Sequence, residues 1–183
     1  MNERRKKRAA SLWRFTVLNK VVDVVFILLV LWAVSRYFVT VSSVAGPSMV
    51  PTLENGERMA VQIVNCHPEQ GDIVAARSPW NGRNIVKRAI ATGGQHVSID
   101  YDAGEVRVDD VVLGEPYIKE EMLALGDGHV TELNVPEDSY FLMGDNRNIS
   151  RDSRDPELGA VPSEDIVGRC ALVFFPFSHI REL

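Results

Sequence analysis

The sequence predicts a mainly β protein preceded by one N-terminal membrane-spanning helix. Three observations carry that prediction. The only long apolar run lies near the N-terminus. After residue 45 the apolar residues come in short segments separated by Gly, Pro, Asp and Asn turns. Beyond that point no long stretch has a 3.6-residue apolar period. The 183 residues suffice for one domain of ordinary size behind the helix.

The helix comes first. Val21 to Val39 is predominantly apolar, and Val24 to Val34 is apolar without a break. As a helix, residues 21–39 would be ~28 Å long, close to the ~30 Å hydrocarbon core of a bilayer. Residues 1–45 hold eight Lys/Arg and two acids, a net charge of +6, so the remainder of this −5 chain carries −11. Basic residues flanking the N-terminal side of a span place that side in the cytoplasm. The acidic remainder would repel phosphates and argues against nucleic acid as a partner. Ser43-Val44-Ala45 also fits a signal-cleavage site, with small residues three and one before Gly46. An uncleaved anchor is favoured, because the apolar run is long for a secretory signal and cleavage would strip the segment leading into the next motif.

The strands follow in order. Arg58–Val64, Ile73–Ala76 and Asn84–Ile90 are strand-like, with turns at 65–70 and 78–82. Val97–Ile99, Glu105–Val108 and Val111–Leu113 form a meander, and residues 114–137 read as polar and irregular. Ser139–Met143 and Ile166–Phe175 are the last strands, with a short turn near 162–165, and Pro176 ends the final strand.

Three stretches carry chemistry only when read together. In Gly46–Leu53, Pro47 and Pro51 stiffen a turn that presents Ser48. Lys87 sits in the apolar strand Ile85-Val86-Lys87. Gly144 to Arg154 is rich in Asp, Asn, Arg and Ser. A serine nucleophile needs a base, and a desolvated lysine can be one because burial disfavours its charged form. Each stretch also has an ordinary reading: a turn, a solvated strand-end lysine, and a surface loop whose exposed ion pairs stabilise little. The four histidines are scattered and lack metal-ligand spacing, so no metal or cofactor is implied. Cys66 and Cys170 are the only cysteines, and the sequence leaves open whether they meet.

Together these stretches resemble a bacterial type I signal peptidase (leader peptidase) with a serine–lysine dyad, in the short Gram-positive-type form. The likeness runs in order over residues 44–175, through Gly46–Leu53, Gly71-Asp72-Ile73-Val74, Val86-Lys87-Arg88 and Gly144–Arg154. It implies a signal-peptidase-like β catalytic core with a small inserted β lobe. It implies a basic cytoplasmic N-terminus over 1–20, a transmembrane anchor over 21–39, the core over 40–90 and 138–183, and the lobe over 91–137. Ser48 is then the nucleophile, Lys87 the general base, and Ser150 the residue orienting the lysine. Ser48 and Gly46 would frame the oxyanion hole. Val44, Met49, Leu53 and Val86 would line shallow substrate pockets, and Asp145, Arg147, Asp152 and Arg154 would support the loop.

The implied substrates are secretory preproteins cut after small residues of the Ala-x-Ala type. The implied location is the cell membrane, crossed once, with the catalytic domain outside the cytoplasm and the bilayer as a partner. The chain departs from the family at Gly46, where some members have a serine, at Ala91–Gln95, and at Ile149. Two other functions compete: a self-cleaving repressor, which would need a DNA-binding region where this chain has its apolar run, and an anchored β domain that binds exported proteins without cutting them.

Overall fold

The computed structural model describes residues 3–64, 66–80, 82–123 and 128–183. Residue 81 of the expected 78–82 turn and part of the irregular 114–137 stretch lie outside the described residues. The chain divides into two compact units, residues 1–38 and 39–183.

The first unit is one α-helix, α1 (Glu3–Phe38). Its most apolar window, Thr16–Ala33, has a mean hydropathy of 2.1 and is long enough to cross a membrane. The helix begins well before residue 21 and ends at Phe38. Val39, the last residue of the expected span, already belongs to a strand: Val39, Val41 and Thr40 are β-branched and favour extended backbone.

The second unit is built on two antiparallel sheets. The strands are β1 (Val39–Ser43), β2 (Arg58–Gln62), β3 (Ile73–Arg77), β4 (Asn84–Thr92), β5 (His96–Asp100), β6 (Glu105–Val108), β7 (Val111–Val112), β8 (Glu132–Asn134), β9 (Ser139–Met143), β10 (Val161–Pro162), β11 (Ile166–Phe175) and β12 (Arg181–Glu182). The larger sheet runs β1-β2-β11-β3-β4-β9-β10, with β12 also paired to β11; the smaller runs β7-β6-β5-β8. Short 3₁₀ turns cover Ser163–Asp165 and Phe177–His179. β1, β8, β10 and β12 are additional to the strands expected from the sequence, and β8 lies inside the stretch read as irregular.

Residue alternation explains how the larger sheet buries both faces. On β3, Ile73 and Ala75 enter one apolar cluster with Val44, Met49, Leu53, Met59, Val61 and Val86. Val74 and Ala76 point the other way, into a cluster with Ala89, Leu142 and Val161. A third cluster joins the sheets, with Phe141 and Met143 of β9 packing on Val97, Ile99, Val106 and Val108. β3 and β4 are therefore a central, doubly covered pair, and β4 carries Lys87 through the middle of it.

Candidate active site

Ser48 is held in a turn anchored by its neighbours. Met49 and Leu53 are buried in the first apolar cluster. The Val50 N–H donates to Pro47 O at 3.2 Å, and the Leu53 N–H to Met49 O at 2.8 Å. The Ser48 carbonyl accepts from the Asn146 N–H at 3.0 Å, and Asn146 Nδ2 donates to Pro47 O at 3.2 Å. The Ser48 N–H takes no hydrogen-bond partner among the described residues.

Lys87 approaches from β4, 4 % exposed. Its Nζ and Ser48 Oγ lie 2.8 Å apart in a hydrogen bond. Among the described residues Lys87 forms no ion pair. Burial lowers its pKa, and the Arg154 guanidinium lowers it further, against the opposing pull of Asp152 and Asp145. The solvated strand-end reading of Lys87 is thus excluded.

Gly46 has φ +91°, a left-handed conformation that favours glycine, with open space where a side chain would stand. Its N–H is already committed to Asn55 Oδ1 at 2.9 Å. Gly46 therefore offers no free N–H to an oxyanion hole, and what it contributes is backbone shape.

The 144–154 loop is not the exposed polar loop of the ordinary reading. Asp145, Arg147, Asp152 and Arg154 are all buried. Asp145 receives Arg88 Nε at 2.9 Å and Nη2 at 2.6 Å. Arg147 forms a two-armed pair with Glu115 and donates Nε to Gly144 O at 3.1 Å. Arg154 grips Asp152 through Nε at 2.8 Å and Nη2 at 2.9 Å, and reaches Arg147 O at 2.7 Å. Asp152 also accepts the Gly144 N–H at 2.9 Å. A Cβ on Gly144 would collide with Ser150 Oγ and with the Ser48 carbonyl, so the loop meets the serine turn with no room to spare. Ser150 Oγ is buried there and takes no hydrogen-bond partner among the described residues. The expected bond from Ser150 to Lys87 is absent from this resting geometry.

A narrow cleft of about 70 Å³ opens beside the Ser48–Lys87 pair, bounded by residues 43–45, Ser48, Met49 and 84–87. Val44, Met49 and Val86 line it. Leu53 does not; it is fully buried in the same apolar cluster. Larger clefts of about 280 Å³ beside Cys66 and Arg169 and about 290 Å³ beside Pro79 and Leu158 include neither Ser48 nor Lys87. Both cysteines are free thiols, and burial pushes Cys170 up to about 12.

The sequence assigned no role to Arg88 or Glu115. Arg88 flanks Lys87, and strand alternation sends it to the opposite face, where a buried cation requires a carboxylate. That much was available from the pattern. Its partner, Asp145, was not, because a contact across 57 residues is set by tertiary packing.

The family model described as "Signal peptidase, peptidase S26" matches residues 17–175. The chain belongs to that family. This peptidase is 33 % identical over 172 residues to signal peptidase I U of Bacillus subtilis, covering 88 % of this chain and 89 % of that one. It is 38 % identical over 148 residues to signal peptidase I T of the same organism, covering 76 % and 75 %. A probable signal peptidase I-1 of Synechocystis is 34 % identical over 185 residues, covering 94 % and 89 %. The resemblance read from the sequence is thereby borne out, as is the mainly β class. The peptidase is an enzyme of a serine peptidase family, and its N-terminal apolar helix is compatible with membrane anchoring.

Proposed function

We propose that this chain is a membrane-anchored endopeptidase that removes signal peptides from exported preproteins through an acyl-enzyme formed by Ser48 and Lys87. The observation that carries the reading is the 2.8 Å contact between Ser48 Oγ and a buried lysine amine that forms no ion pair among the described residues. A lysine in that state gives up its proton more readily than a solvated one.

Lys87 takes the Ser48 proton as Oγ attacks the substrate carbonyl. The free Ser48 N–H supports the developing oxyanion. Lys87 then passes the proton to the leaving amine, and afterwards draws one from the water that hydrolyses the acyl-enzyme. The small volume of the cleft and its Val44, Met49 and Val86 walls favour small apolar side chains, which fits preproteins cut after an Ala-x-Ala sequence. Asp145, Arg147, Asp152 and Arg154 act as scaffold. Ser150 is a positioning residue whose hydroxyl turns to the lysine amine during turnover.

Residues 1–20 form a basic cytoplasmic segment, 21–38 the anchor, and the domain bearing Ser48 lies outside the cytoplasm, because the +6 charge precedes residue 46. Within that domain, 40–90 and 138–183 form the catalytic core and 91–137 the inserted lobe. The bilayer holds enzyme and substrate at high local concentration.

The test is incubation of detergent-solubilised protein with a preprotein bearing an Ala-x-Ala site, read by mass spectrometry. One cut after the second alanine is expected, with no cut by Ser48→Ala. No cut by the wild type would favour an anchored β domain that binds exported proteins, and cutting by Ser48→Ala would remove Ser48 from the chemistry.

A further inference from the structure

Residues 177–183 belong to none of the motifs around Ser48, yet they clasp the loop that frames it. Arg181 reaches back across the sequence to Thr52 O through Nη2 at 2.6 Å. It also grips both carboxylate oxygens of Glu57, through Nη1 at 2.8 Å and Nη2 at 2.8 Å. His179 Nδ1 lies 3.1 Å from the same carboxylate. Glu57 is 2 % exposed, so its charge sits where only a matched donor set keeps it. From the other side, Glu57 accepts the Glu54 N–H at 3.0 Å.

The clasped loop in turn holds the wall of the cleft. Val44 donates its N–H to Glu57 O at 2.8 Å and accepts the Gly56 N–H at 2.9 Å. Gly46 donates to Asn55 Oδ1 at 2.9 Å. Val44 and Ala45 line the cleft beside Ser48. Ser48 itself is aligned by a separate set of contacts, the Asn146 N–H on its carbonyl and Lys87 on its hydroxyl.

We infer that Arg181 is a positioning residue for substrate binding, holding the Val44–Gly46 wall through Thr52 and Glu57 while leaving the Ser48–Lys87 pair to its own supports. The inference rests on the peptidase reading of the site. Loss of the clasp loosens the wall that an extended substrate must lie against, and leaves the base and nucleophile in place. Binding therefore suffers before chemistry does.

The experiment measures kcat and KM on an Ala-x-Ala preprotein across pH for wild type, Arg181→Gln, Arg181→Lys, Glu57→Gln and the Arg181→Gln/Glu57→Gln double variant, all well below their melting temperatures. Arg181→Gln should raise KM on the order of tenfold with kcat within about twofold and an unshifted pH midpoint. Arg181→Lys keeps the charge without the fork and should fall between. The double variant should be no worse than the poorer single. An unchanged KM in Arg181→Gln, a fall in kcat at constant KM, or full additivity would each overturn the inference. Should Arg181→Gln fail to fold, Arg181→Lys decides by the same KM criterion. A wild type that cuts no preprotein sinks the peptidase reading and this inference with it; a wild type that cuts while the variants keep its KM sinks the inference alone.

Discussion

Among the described residues four buried cations lie around the serine turn, and they divide into two regions. Behind the turn, Arg88, Arg147 and Arg154 are each matched to a carboxylate: Asp145, Glu115 and Asp152. In front of it, Lys87 is as deeply buried but faces a hydroxyl. The same low-dielectric interior therefore does opposite things. Where a carboxylate pairs directly with the cation it locks a charged guanidinium in place; where no ion pair forms among the described residues it disfavours the ammonium. Arginine suits the first region because it does not deprotonate, and lysine the second because it does.

The sharpest way to break this contrast is to remove the lysine amine. Lys87→Met should lower kcat/KM by roughly 10²–10⁴-fold, the usual worth of a general base, with the circular dichroism spectrum unchanged. In the wild type, kcat/KM should rise with pH through the depressed Lys87 pKa and be lost below it. Stability carries the same signature. The unfolded chain holds Lys87 near its ordinary 10.5, so between the depressed value and 10.5 the unfolded state binds more protons and stability rises with pH. In Lys87→Met that part of the slope should vanish. Robust cleavage by a folded Lys87→Met protein would assign the base elsewhere.

The rear region should respond in stability. Asp145→Asn leaves Arg88 buried without its counter-charge and should cost about 3–5 kcal/mol in denaturant unfolding. A loss below about 1 kcal/mol would mean that the two regions are not distinct. Gly46→Ser comes next. A serine forced to φ +91° should cost about 1–2 kcal/mol although nothing crowds it, and Gly46→Asn should cost less, because asparagine tolerates that conformation. Equal stability of the serine variant would mean that the turn relaxes freely.

The smallest effect belongs to Ser150→Ala. It deletes a buried hydroxyl that has no hydrogen-bond partner among the described residues, so stability should change by less than about 1 kcal/mol, while kcat falls by about tenfold if the hydroxyl serves Lys87 during turnover. An unchanged kcat would confine Ser150 to packing.

The strands most legible in the sequence were those whose own residues decide them. Glu105–Val108, Ser139–Met143 and Ile166–Phe175 have the expected bounds because β-branched and aromatic residues sit between clear breakers. Val161–Pro162 and Arg181–Glu182 are two-residue strands that exist only because β9 and β11 offer an edge, and no local pattern announces such pairing. The site divides the same way. Ser48 and Lys87 stood out through a stiff turn and a lysine among apolar residues. Leu53 was expected to line a pocket but is fully buried, because apolar character signals burial without saying what is on the other side. The depth at which Asp152 and Arg154 lie was not legible, since charges in a polar loop rich in Asp, Asn, Arg and Ser look solvated until the fold closes over them.

The meeting of Gly144 with the Ser48 carbonyl has a consequence for how such an enzyme can diverge. Part of the alignment of Ser48 comes from peptide groups: the Asn146 N–H on the Ser48 carbonyl, and a loop that passes close only because Gly144 has no side chain. The exposed side chains of the loop can then vary without disturbing that alignment. Ile149, 58 % exposed, sits in the same loop and is under no such restraint. The outward side chains of the loop and the peptide geometry at Ser48 are thereby written in different parts of the polymer, and a lineage can revise the first while inheriting the second intact.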